Sequence, residues 1–408
     1  MIGFQKALDL VRTTLKPLTP VEVPVTEAVG LVLAEDLYAQ TDVPKEAVSL
    51  KDGYAVRSRD VEGASPQNPK VLALMGEILA GEEKDLALKP GSCVRVTAGA
   101  LLPRGTEAVL AEEFATPEGK SVKATADAPP GKNILPRGAD ISKGSLLLAR
   151  GQRLFPPEVG LMAAGGWARI KVHPRPRVFL LATGSEVVAP GHPLRAGQIY
   201  ASNLVTLAGW CHYFGFSWTS RVVEDEPAAL KKALGDFLAG PWEVLLTSGG
   251  AWRGPKDLVV KGLDEAGWQK IFHRVRMGPG KAVAFGLLKE KVVFCLPGGP
   301  PSNQMAFLNL ALPGLFILAG EKDVPFPEIP VRLTETVEGQ RDWTQFFLGR
   351  LKRKGEKIYF TPLKPRSRLS YLAAGEALLT LPEGKERLAA GEEVCVRVLK
   401  EWPPCPST

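Results

Sequence analysis

Three glycine-rich corners are the segments of this sequence best suited to chemistry. They are LLATGSE (180–186), TSGGAWRGPKD (247–257) and FCLPGGPPSNQMAF (294–307). Each joins an apolar, strand-like run to the start of a predicted helix, and so offers backbone N–H groups and a helix N-terminus to an anion. One such corner alone is more often an ordinary βα turn. Three of them at the carboxyl ends of strands in one α/β segment favour a shared phosphate or pterin pocket.

The small and polar residues of these corners are the candidate ligand-binding residues. Glycine lets a ligand approach the backbone closely, and the neighbouring N–H groups can donate to its oxygens. The candidates are Thr183, Gly184, Ser248, Gly249, Gly250, Pro297 and Gly298.

Composition indicates a globular protein of two to four domains. The sequence has 408 residues, of which 45% are hydrophobic and 23% charged, which argues against disorder. Its 51 basic and 44 acidic residues give a net charge of +7. A basic balance suits nucleic acid, anionic lipid or a polyanionic small molecule. Because the basic residues are scattered, the small molecule fits best, and we expect no nucleic-acid partner.

Cysteine, histidine and apolar patterns argue against several other classes. The five cysteines form no C-x-x-C pair, so neither a disulfide framework nor a zinc knuckle is indicated, and a reducing cytoplasm is expected. The four histidines lack metal-ligand spacing. No window reaches the roughly 18 apolar residues of a membrane span, and no targeting signal is visible, so no membrane association is expected.

The first 174 residues predict two domains. Apolar residues at helical spacing predict a helix over 4–15, which Pro17 and Pro20 end. The runs VLALMGEILA, CVRVTAG and EAVLAEEF, separated by glycine, proline and acidic turns, predict an inserted β-rich domain at 42–134. A helix is expected at 156–164, which leaves 1–41 with 135–174 as an N-terminal helical and linker domain.

The remainder predicts an α/β domain at 175–322 and a β domain at 323–408. Strands RVFLLA, SWTSRVV, WEVLL and KVVFCL alternate with helices predicted at 203–214, 227–238, 257–266 and 301–310. Such alternation predicts a parallel-rich sheet with helices on both faces. Runs such as QFFLGRLKR and KIYFTPL predict a barrel-like C-terminal domain. The predicted fold class is therefore multi-domain α/β.

The sequence resembles the molybdopterin molybdenumtransferase family, of the MoeA and gephyrin E-domain type, over essentially its whole length. Eight ordered segments at the family's spacing carry the resemblance. They are SLKDGYAV (49–56), VRVTAGALLPRGTEAVLAEE (94–113), PGKNILPRGADISKG (130–144), RPRVFLLATGSEVVAPGHPLRAGQIYASN (175–203), TSGGAWRGPKD (247–257), MGPGKAVAFG (277–286), LPGGPPS (296–302) and LPEGKERLAAGEEVCVRVL (381–399).

This resemblance implies a fold and an activity. The α/β domain would be MogA-like and would bind molybdopterin. The implied reaction inserts molybdate into the dithiolene of adenylylated molybdopterin, with Mg²⁺-dependent release of AMP. A homodimer is implied, with a molybdopterin adenylyltransferase as a possible partner.

The resemblance also implies roles for individual side chains. Asp52, Asp140 and Glu186 match carboxylates expected to hold Mg²⁺, and Asp52, Glu186 and Asp257 match acid-base positions. An ordinary turn aspartate at 52, and N-cap or first-turn helix carboxylates at 186 and 257, remain open alternatives.

Three further positions match residues that contact the substrates. Lys281, in PGK, matches a lysine that holds the oxyanion, and a solvated surface lysine is its alternative. Ser302 closes the LPGGPPS corner. Ser367, between Arg366 and Arg368, matches a serine near the molybdate, and a solvated turn is equally open.

Several motif positions depart from the family pattern. They are Lys51 for a methionine, Ala98 with Thr97 displaced by one residue, Trp252 and Arg253 in the Gly-Gly corner, Gly278 for a lysine, Gly299 for an asparagine, and Leu348 for an arginine. Two cations expected around molybdate are thus absent. Three readings follow: an active transferase, a tungstate-preferring version, or a catalytically weakened paralogue that binds molybdopterin as a carrier or partner subunit.

Overall fold

The computed structural model describes residues 1–250, 258–322, 324–364 and 367–400. The chain divides into two compact units: a discontinuous unit, Met1–Val21 with His173–Thr408, and an inserted unit, Glu22–Val172. The four domains expected from the sequence are a finer division and stay a prediction. In the described part of the chain, no helix has the length and apolar character needed to cross a membrane.

A six-stranded sheet dominates the inserted unit. Its order is Ala115–Glu118, Ser121–Ala124, Lys70–Ile78, Ser92–Val96, Gly53–Val56 and Ala108–Ala111. The Lys70–Ile78 and Ser92–Val96 strands are parallel, and the other neighbours are antiparallel. Alternate side chains, among them Val56, Leu72 and Leu110, form a buried apolar cluster. The β-rich inserted domain of the predicted fold class is confirmed.

The rest of the inserted unit contains the helix Pro156–Ala164 together with several short strands and turns. A three-stranded sheet has the order Val21–Pro24, Arg169–His173 and Val32–Leu33. Leu37–Tyr38 pairs with Leu146–Leu148, and Val48–Ser49 pairs with Ile134–Leu135. Short 3₁₀ turns lie at Val25–Glu27, Ser58–Val61 and Glu112–Phe114.

The sheet that carries the glycine corners belongs to the discontinuous unit. Its strands are β1 (Val178–Thr183), β2 (Trp218–Val223), β3 (Val244–Ser248), β4 (Gln269–His273), β5 (Ala284–Leu288) and β6 (Lys291–Leu296). The order is β2-β1-β3-β6-β5-β4. The first four strands are parallel, β5 pairs antiparallel with β6, and β4 pairs antiparallel with β5. The parallel-rich sheet of the predicted fold class is confirmed.

Helices cover both faces of this sheet. The helices are Ser202–Tyr213, Pro227–Ala239, Leu258–Glu265 and Pro300–Ala306, the last continuing through a π-helical turn, Phe307–Ala311, into Leu312–Leu318. Leu180, Leu246 and Phe294 pack in one apolar cluster with the first and last of these and with the N-terminal helix Phe4–Thr14. The alternate residues Phe179 and Leu245 pack in a second cluster with the other two. Strand alternation therefore buries both faces.

Five strands near the C-terminus close into a ring. Thr344–Lys354 pairs with Lys357–Pro362, and the ring continues through Glu328–Leu333, Glu393–Val398 and Ala377–Leu381 back to Thr344–Lys354. Val275–Gly278 and then Ile2–Gly3 extend the sheet from Thr344–Lys354. A short helix, Arg368–Ala374, connects two ring strands, and two small pairs are Val187–Val188 with Ile199–Tyr200 and Val337–Glu338 with Arg387–Leu388.

The main difference from the predicted elements concerns the last helix of the α/β sheet. It was expected to end at residue 310, but helical structure continues to Leu318. Pro313 does not end it, because the π-helical turn places this proline in the first turn of the next helical segment. Proline is tolerated in a first turn, where its missing N–H costs little.

Cysteine reactivity gives one testable consequence of this packing. Burial raises the pKa of the Cys93, Cys211 and Cys295 thiols to about 12, so almost no reactive thiolate exists at pH 8. Cys395 is exposed. We expect iodoacetamide at pH 8 to alkylate Cys395 in the native protein and to spare the three buried thiols, as read by peptide mass spectrometry.

The matched control for this experiment is the same labelling in urea, which should modify all of these cysteines. Stoichiometric modification of Cys211 in the native protein would contradict the packing described here. Cys405 lies outside the described residues and has no part in the test.

Candidate functional site

The three glycine corners meet at the carboxyl ends of neighbouring strands. Thr183 ends β1, Ser248 ends β3, and Pro297 follows β6. The Gly249 N–H donates to Leu296 O at 3.1 Å. A Cβ atom built on Gly298 would lie 3.6 Å from Gly249 Cα. The backbones of the second and third corners are therefore in van der Waals contact.

The first corner approaches the second equally closely. A Cβ atom built on Gly249 would lie 3.2 Å from Thr183 O, and the φ of Gly249 is +96°. Both observations require glycine at this position. The sequence prediction that the three corners adjoin agrees with this geometry, and the ligand assigned to them stays a prediction.

Two asparagines that the sequence analysis did not select tie the corners together. Asn203 Nδ2 donates to Ser248 Oγ at 3.0 Å and to Gly298 O at 2.8 Å. Asn303 Nδ2 donates to Ser248 Oγ at 3.2 Å and to Pro297 O at 2.9 Å. A signal was available, since each is a carboxamide in the first turn of a helix whose N-terminus lies at this edge.

Glu186 stands beside the first corner. Its carboxylate is exposed, and Oε2 lies 2.8 Å from the position of a Cβ atom built on Gly184. The φ of Gly184 is +150°. The N–H of Gly184 donates to Val223 O at 3.3 Å. Glycine at 184 thus leaves room for the carboxylate at the end of β1. Asp257, the other carboxylate expected here, lies outside the described residues.

Lys281 follows a turn that packs on the helix of the third corner. A Cβ atom on Gly280, which has φ +123°, would lie 3.4 Å from Ser302 O. The Lys281 Nζ lies 5.5 Å from the centre of the Trp343 ring, within range of a cation–π contact. The fold therefore brings the turn before Lys281 against Ser302, two positions that the sequence predicted for one site.

Asp52 lies in the inserted unit, in the turn before the strand Gly53–Val56. Its side chain is exposed, and Oδ1 accepts a hydrogen bond from the Ala98 N–H at 2.9 Å. The Glu112 N–H donates to Asp52 O at 3.1 Å. The displaced Thr97 uses its Oγ1 to accept from the Ala80 N–H at 2.9 Å. Two backbone contacts therefore hold the Asp52 turn.

Asp140 is exposed, in a loop of the same unit. Its N–H donates to Val43 O at 2.9 Å. The neighbouring Asp42 is held by the Lys143 N–H and by Arg137, which together keep the pKa of the Asp42 carboxyl below its usual value. This network orders the loop that presents Asp140.

The carboxylates can be compared with the needs of Mg²⁺. Among the described residues, no group of three or more His, Cys, Asp or Glu side chains is placed to hold a metal ion by itself. Mg²⁺ is commonly held by one or two carboxylates together with substrate phosphates and waters. An exposed Glu186 at a glycine corner fits that mode of binding. The metal roles of Asp52, Asp140 and Glu186 stay predictions.

Comparison with known families matches three segments that together span most of the chain. Residues 2–166 match the model of the MoeA N-terminal region, domains I and II, residues 179–316 match a probable molybdopterin binding domain, and residues 330–399 match the MoeA C-terminal region, domain IV. A molybdopterin molybdenumtransferase 2 of Mycobacterium tuberculosis is 34% identical over 97% of this chain and 99% of its own. The chain belongs to the molybdopterin molybdenumtransferase (MoeA) family.

Other relatives agree over the full length. A molybdopterin molybdenumtransferase of Synechococcus elongatus is 32% identical over 98% of this chain and 100% of its own. Two solved structures titled as molybdopterin biosynthesis MoeA protein from Pyrococcus horikoshii align with TM-scores of 0.83 and 0.78, at 31% and 26% identity, over 98% of this chain and 100% of theirs. The resemblance read from the sequence and the MoeA-like fold class are confirmed.

Two departures from the MoeA motifs leave open space in this structure. A Cβ atom on Gly299 would meet nothing within 4 Å, and one on Gly278 would meet the Gln345 side chain at 3.7 Å, an ordinary contact. Neither glycine has a positive φ. A Cβ atom therefore fits at both positions without a clash.

The third departure is different, because Leu348 is part of the core. Its side chain is 1% exposed, and its N–H donates to the Tyr371 hydroxyl at 3.1 Å. Burial raises the pKa of the Tyr371 phenol. An arginine at 348 would bury a charge in the apolar cluster, which explains why a leucine is stable here.

Ser367 is the N-cap of the helix Arg368–Ala374. Its Oγ accepts a hydrogen bond from the Ser370 N–H at 3.4 Å. The hydroxyl thus has a structural partner, and the contact with molybdate expected from the MoeA motif stays a prediction. Arg366, like Trp252 and Arg253, lies outside the described residues.

Gly250 is an unsuitable probe of the MoeA pocket. Its φ is +64°, and an added Cβ atom would lie 2.5 Å from Val259 Cγ2. A Gly250→Val variant would therefore disturb the fold as well as the pocket, and a change in its ligand affinity would not locate the site. We expect the variant to lose about 1–3 kcal/mol of stability, because valine strongly disfavours this backbone conformation.

Thermal unfolding followed by circular dichroism tests this expectation. Gly299→Ala is the matched control, because position 299 has open space and a φ of −70°. The control should unfold at the wild-type temperature. An unchanged midpoint for Gly250→Val would contradict the geometry of the second corner.

Proposed function

We propose that this chain inserts molybdate into adenylylated molybdopterin with release of AMP. Relatives that align over its full length are named molybdopterin molybdenumtransferases. The observation that carries the proposal is the convergence of three glycine corners at adjacent strand ends, since open α/β sheets bind ligands there. The reaction belongs to molybdenum cofactor biosynthesis.

The corners form the proposed pterin-nucleotide pocket. Their N–H groups and hydroxyls suit phosphate and pterin oxygens, and their glycines allow close approach. The residues assigned to this role are Thr183, Gly184, Ser248, Gly249, Gly250, Pro297, Gly298, Ser302 and Ser367.

Charged side chains have the remaining roles. Glu186 would hold Mg²⁺ together with substrate phosphate oxygens, and Asp52 and Asp140 are the further metal candidates. When bound, Mg²⁺ neutralises phosphate charge as AMP leaves. Asp52, Glu186 and Asp257 are assigned to acid-base chemistry, and Lys281 to the oxyanion.

The proposal also covers the cellular location, the oligomeric state and the partner of the protein. We propose a cytoplasmic homodimer that receives its adenylylated substrate from a molybdopterin adenylyltransferase. Gly278 and the buried Leu348, which stand where the family motif has a lysine and an arginine, support an oxyanion site with fewer cations than the family motif. A tungstate preference and a weakened carrier are the two alternatives that these departures favour.

AMP release from adenylylated molybdopterin tests the proposed function. With Mg²⁺ and either molybdate or tungstate we expect stoichiometric AMP, and chelation of the metal should abolish it. Faster release with tungstate would favour the tungstate-preferring alternative. Tight molybdopterin binding without AMP release in the presence of either oxyanion would contradict the enzymatic activity and favour the carrier alternative.

A further inference from the structure

The Ser248 hydroxyl accepts two hydrogen bonds from carboxamides. Asn203 Nδ2 lies 3.0 Å and Asn303 Nδ2 3.2 Å from Ser248 Oγ. A serine hydroxyl has two acceptor lone pairs and one proton. Because both lone pairs accept hydrogen bonds, this hydroxyl can bind a further partner only by donating its proton.

The second partners of the two carboxamides fix their orientation. Asn203 Nδ2 also donates to Gly298 O, and Asn303 Nδ2 to Pro297 O. A carbonyl oxygen can only accept, so the NH₂ group and not Oδ1 must face it. Each NH₂ group therefore donates one hydrogen bond to Ser248 Oγ and the other to a carbonyl oxygen of the third corner. Neither amide can turn over to accept the Ser248 proton.

Burial makes this arrangement rigid. Asn303 is 2% exposed and Ser248 is 7% exposed, so water competes poorly for their hydrogen bonds. The Asn303 N–H donates to Gly299 O at 2.8 Å. The chain thus carries a carboxamide one helical turn beyond residue 299, where the family motif has an asparagine and this chain has glycine.

We propose that Asn203 and Asn303 are positioning residues that fix Ser248 as a hydrogen-bond donor to a phosphate oxygen of the pterin-nucleotide substrate. The proposal rests on the proposed function for the identity of the ligand. The phosphate is the acceptor because an anionic oxygen forms the strongest hydrogen bond available to a hydroxyl, and the adjoining corner N–H groups favour the same charge.

A double-mutant cycle on AMP affinity, measured by calorimetry, tests this. Ser248→Ala should raise the Kd for AMP about tenfold or more, because a charge-assisted bond is lost. Asn303→Ala should raise it about threefold to tenfold. In the Ser248→Ala background the same change should add less than twofold, because residues that act through one group are not additive.

Asn303→Asp sharpens the test. A carboxylate at 303 would accept the Ser248 proton and repel the phosphate, so the Kd for AMP should rise at least as much as in Asn303→Ala. Asn309→Ala is the matched control: Asn309 is also 2% exposed, and its Nδ2 donates to Met305 O, away from Ser248. Its Kd for AMP should equal that of the wild type.

Several outcomes would overturn the proposal. They are additive effects of Ser248→Ala and Asn303→Ala, an unchanged Kd in Ser248→Ala, and a loss in Asn309→Ala as large as in Asn303→Ala. If Asn303→Ala does not fold, the partly exposed Asn203→Ala enters the same cycle. If the two substitutions are coupled in AMP binding but the protein releases no AMP from adenylylated molybdopterin, only the proposed function is contradicted. If the protein releases AMP but the effects of the two substitutions on AMP binding are additive, only this inference is contradicted.

Discussion

Asp52→Asn is expected to lower the rate of AMP release at least about a hundredfold while leaving the fold intact, because loss of a metal-holding or general-base carboxylate costs that order or more. The side chain is exposed, and its Oδ1 accepts from the Ala98 N–H. An asparagine Oδ1 can accept the same bond. The substitution therefore removes the charge and keeps the turn.

The inserted unit offers a matched control for Asp52→Asn. Asp60 Oδ2 accepts a hydrogen bond from the Gly91 N–H at 2.9 Å, as Asp52 accepts from Ala98. Asp60→Asn should release AMP at the wild-type rate. Near wild-type turnover in folded Asp52→Asn would remove Asp52 from the catalytic assignment, and an equal loss in both variants would indicate a structural effect.

Gly278→Lys is expected to tighten molybdate binding about tenfold or more, because a charge-assisted hydrogen bond contributes about 1.5–3 kcal/mol. The family motif has a lysine at this position. The backbone accepts a side chain here, since a Cβ atom on Gly278 makes ordinary contact with Gln345. Lys281→Ala should change the affinity by a similar factor in the opposite direction.

Equilibrium binding of molybdate and tungstate measures both effects. Gly278→Met is the matched control, because methionine has similar length and no charge, and its affinity should stay at the wild-type value. Tight binding that survives Lys281→Ala would mean that the anion is held elsewhere in the chain. Three arginines, Arg253, Arg366 and Arg368, could replace the two missing cations. The first two lie outside the described residues, and Arg253→Ala belongs in the same series.

The α/β sheet was predictable because its signals are local. Apolar runs of strand length, each followed by glycine and a helix start, define β1, β3 and β6 without reference to any other part of the chain. The closeness of the corners then follows, since parallel neighbours end at the same edge. Family motifs added Lys281 and Ser302, which no local pattern distinguishes from surface residues.

The strands β4 and β5 were not predicted, although their pairings are local: β5 pairs with β6 across the two-residue turn at 289–290, and β4 pairs with β5. Other features depend on contacts between distant residues. The burial of Leu348 depends on packing against several elements, so the sequence showed a missing cation and not its cause. The hydrogen bond of Asn303 to Ser248 joins residues 55 positions apart, so the sequence could show only that Asn303 lies in the first turn of a helix and not which group it contacts.

The nested order of the two units has a consequence for synthesis on the ribosome. The strand Ile2–Gly3 pairs with Val275–Gly278, and the helix Phe4–Thr14 packs in the same cluster as Leu312 and Leu315. At about 5–20 residues per second, these partners emerge tens of seconds after the N-terminus. All of Glu22–Val172 emerges in that interval. The apolar face of the N-terminal helix therefore stays without its native partners for the whole time in which the inserted unit is synthesised.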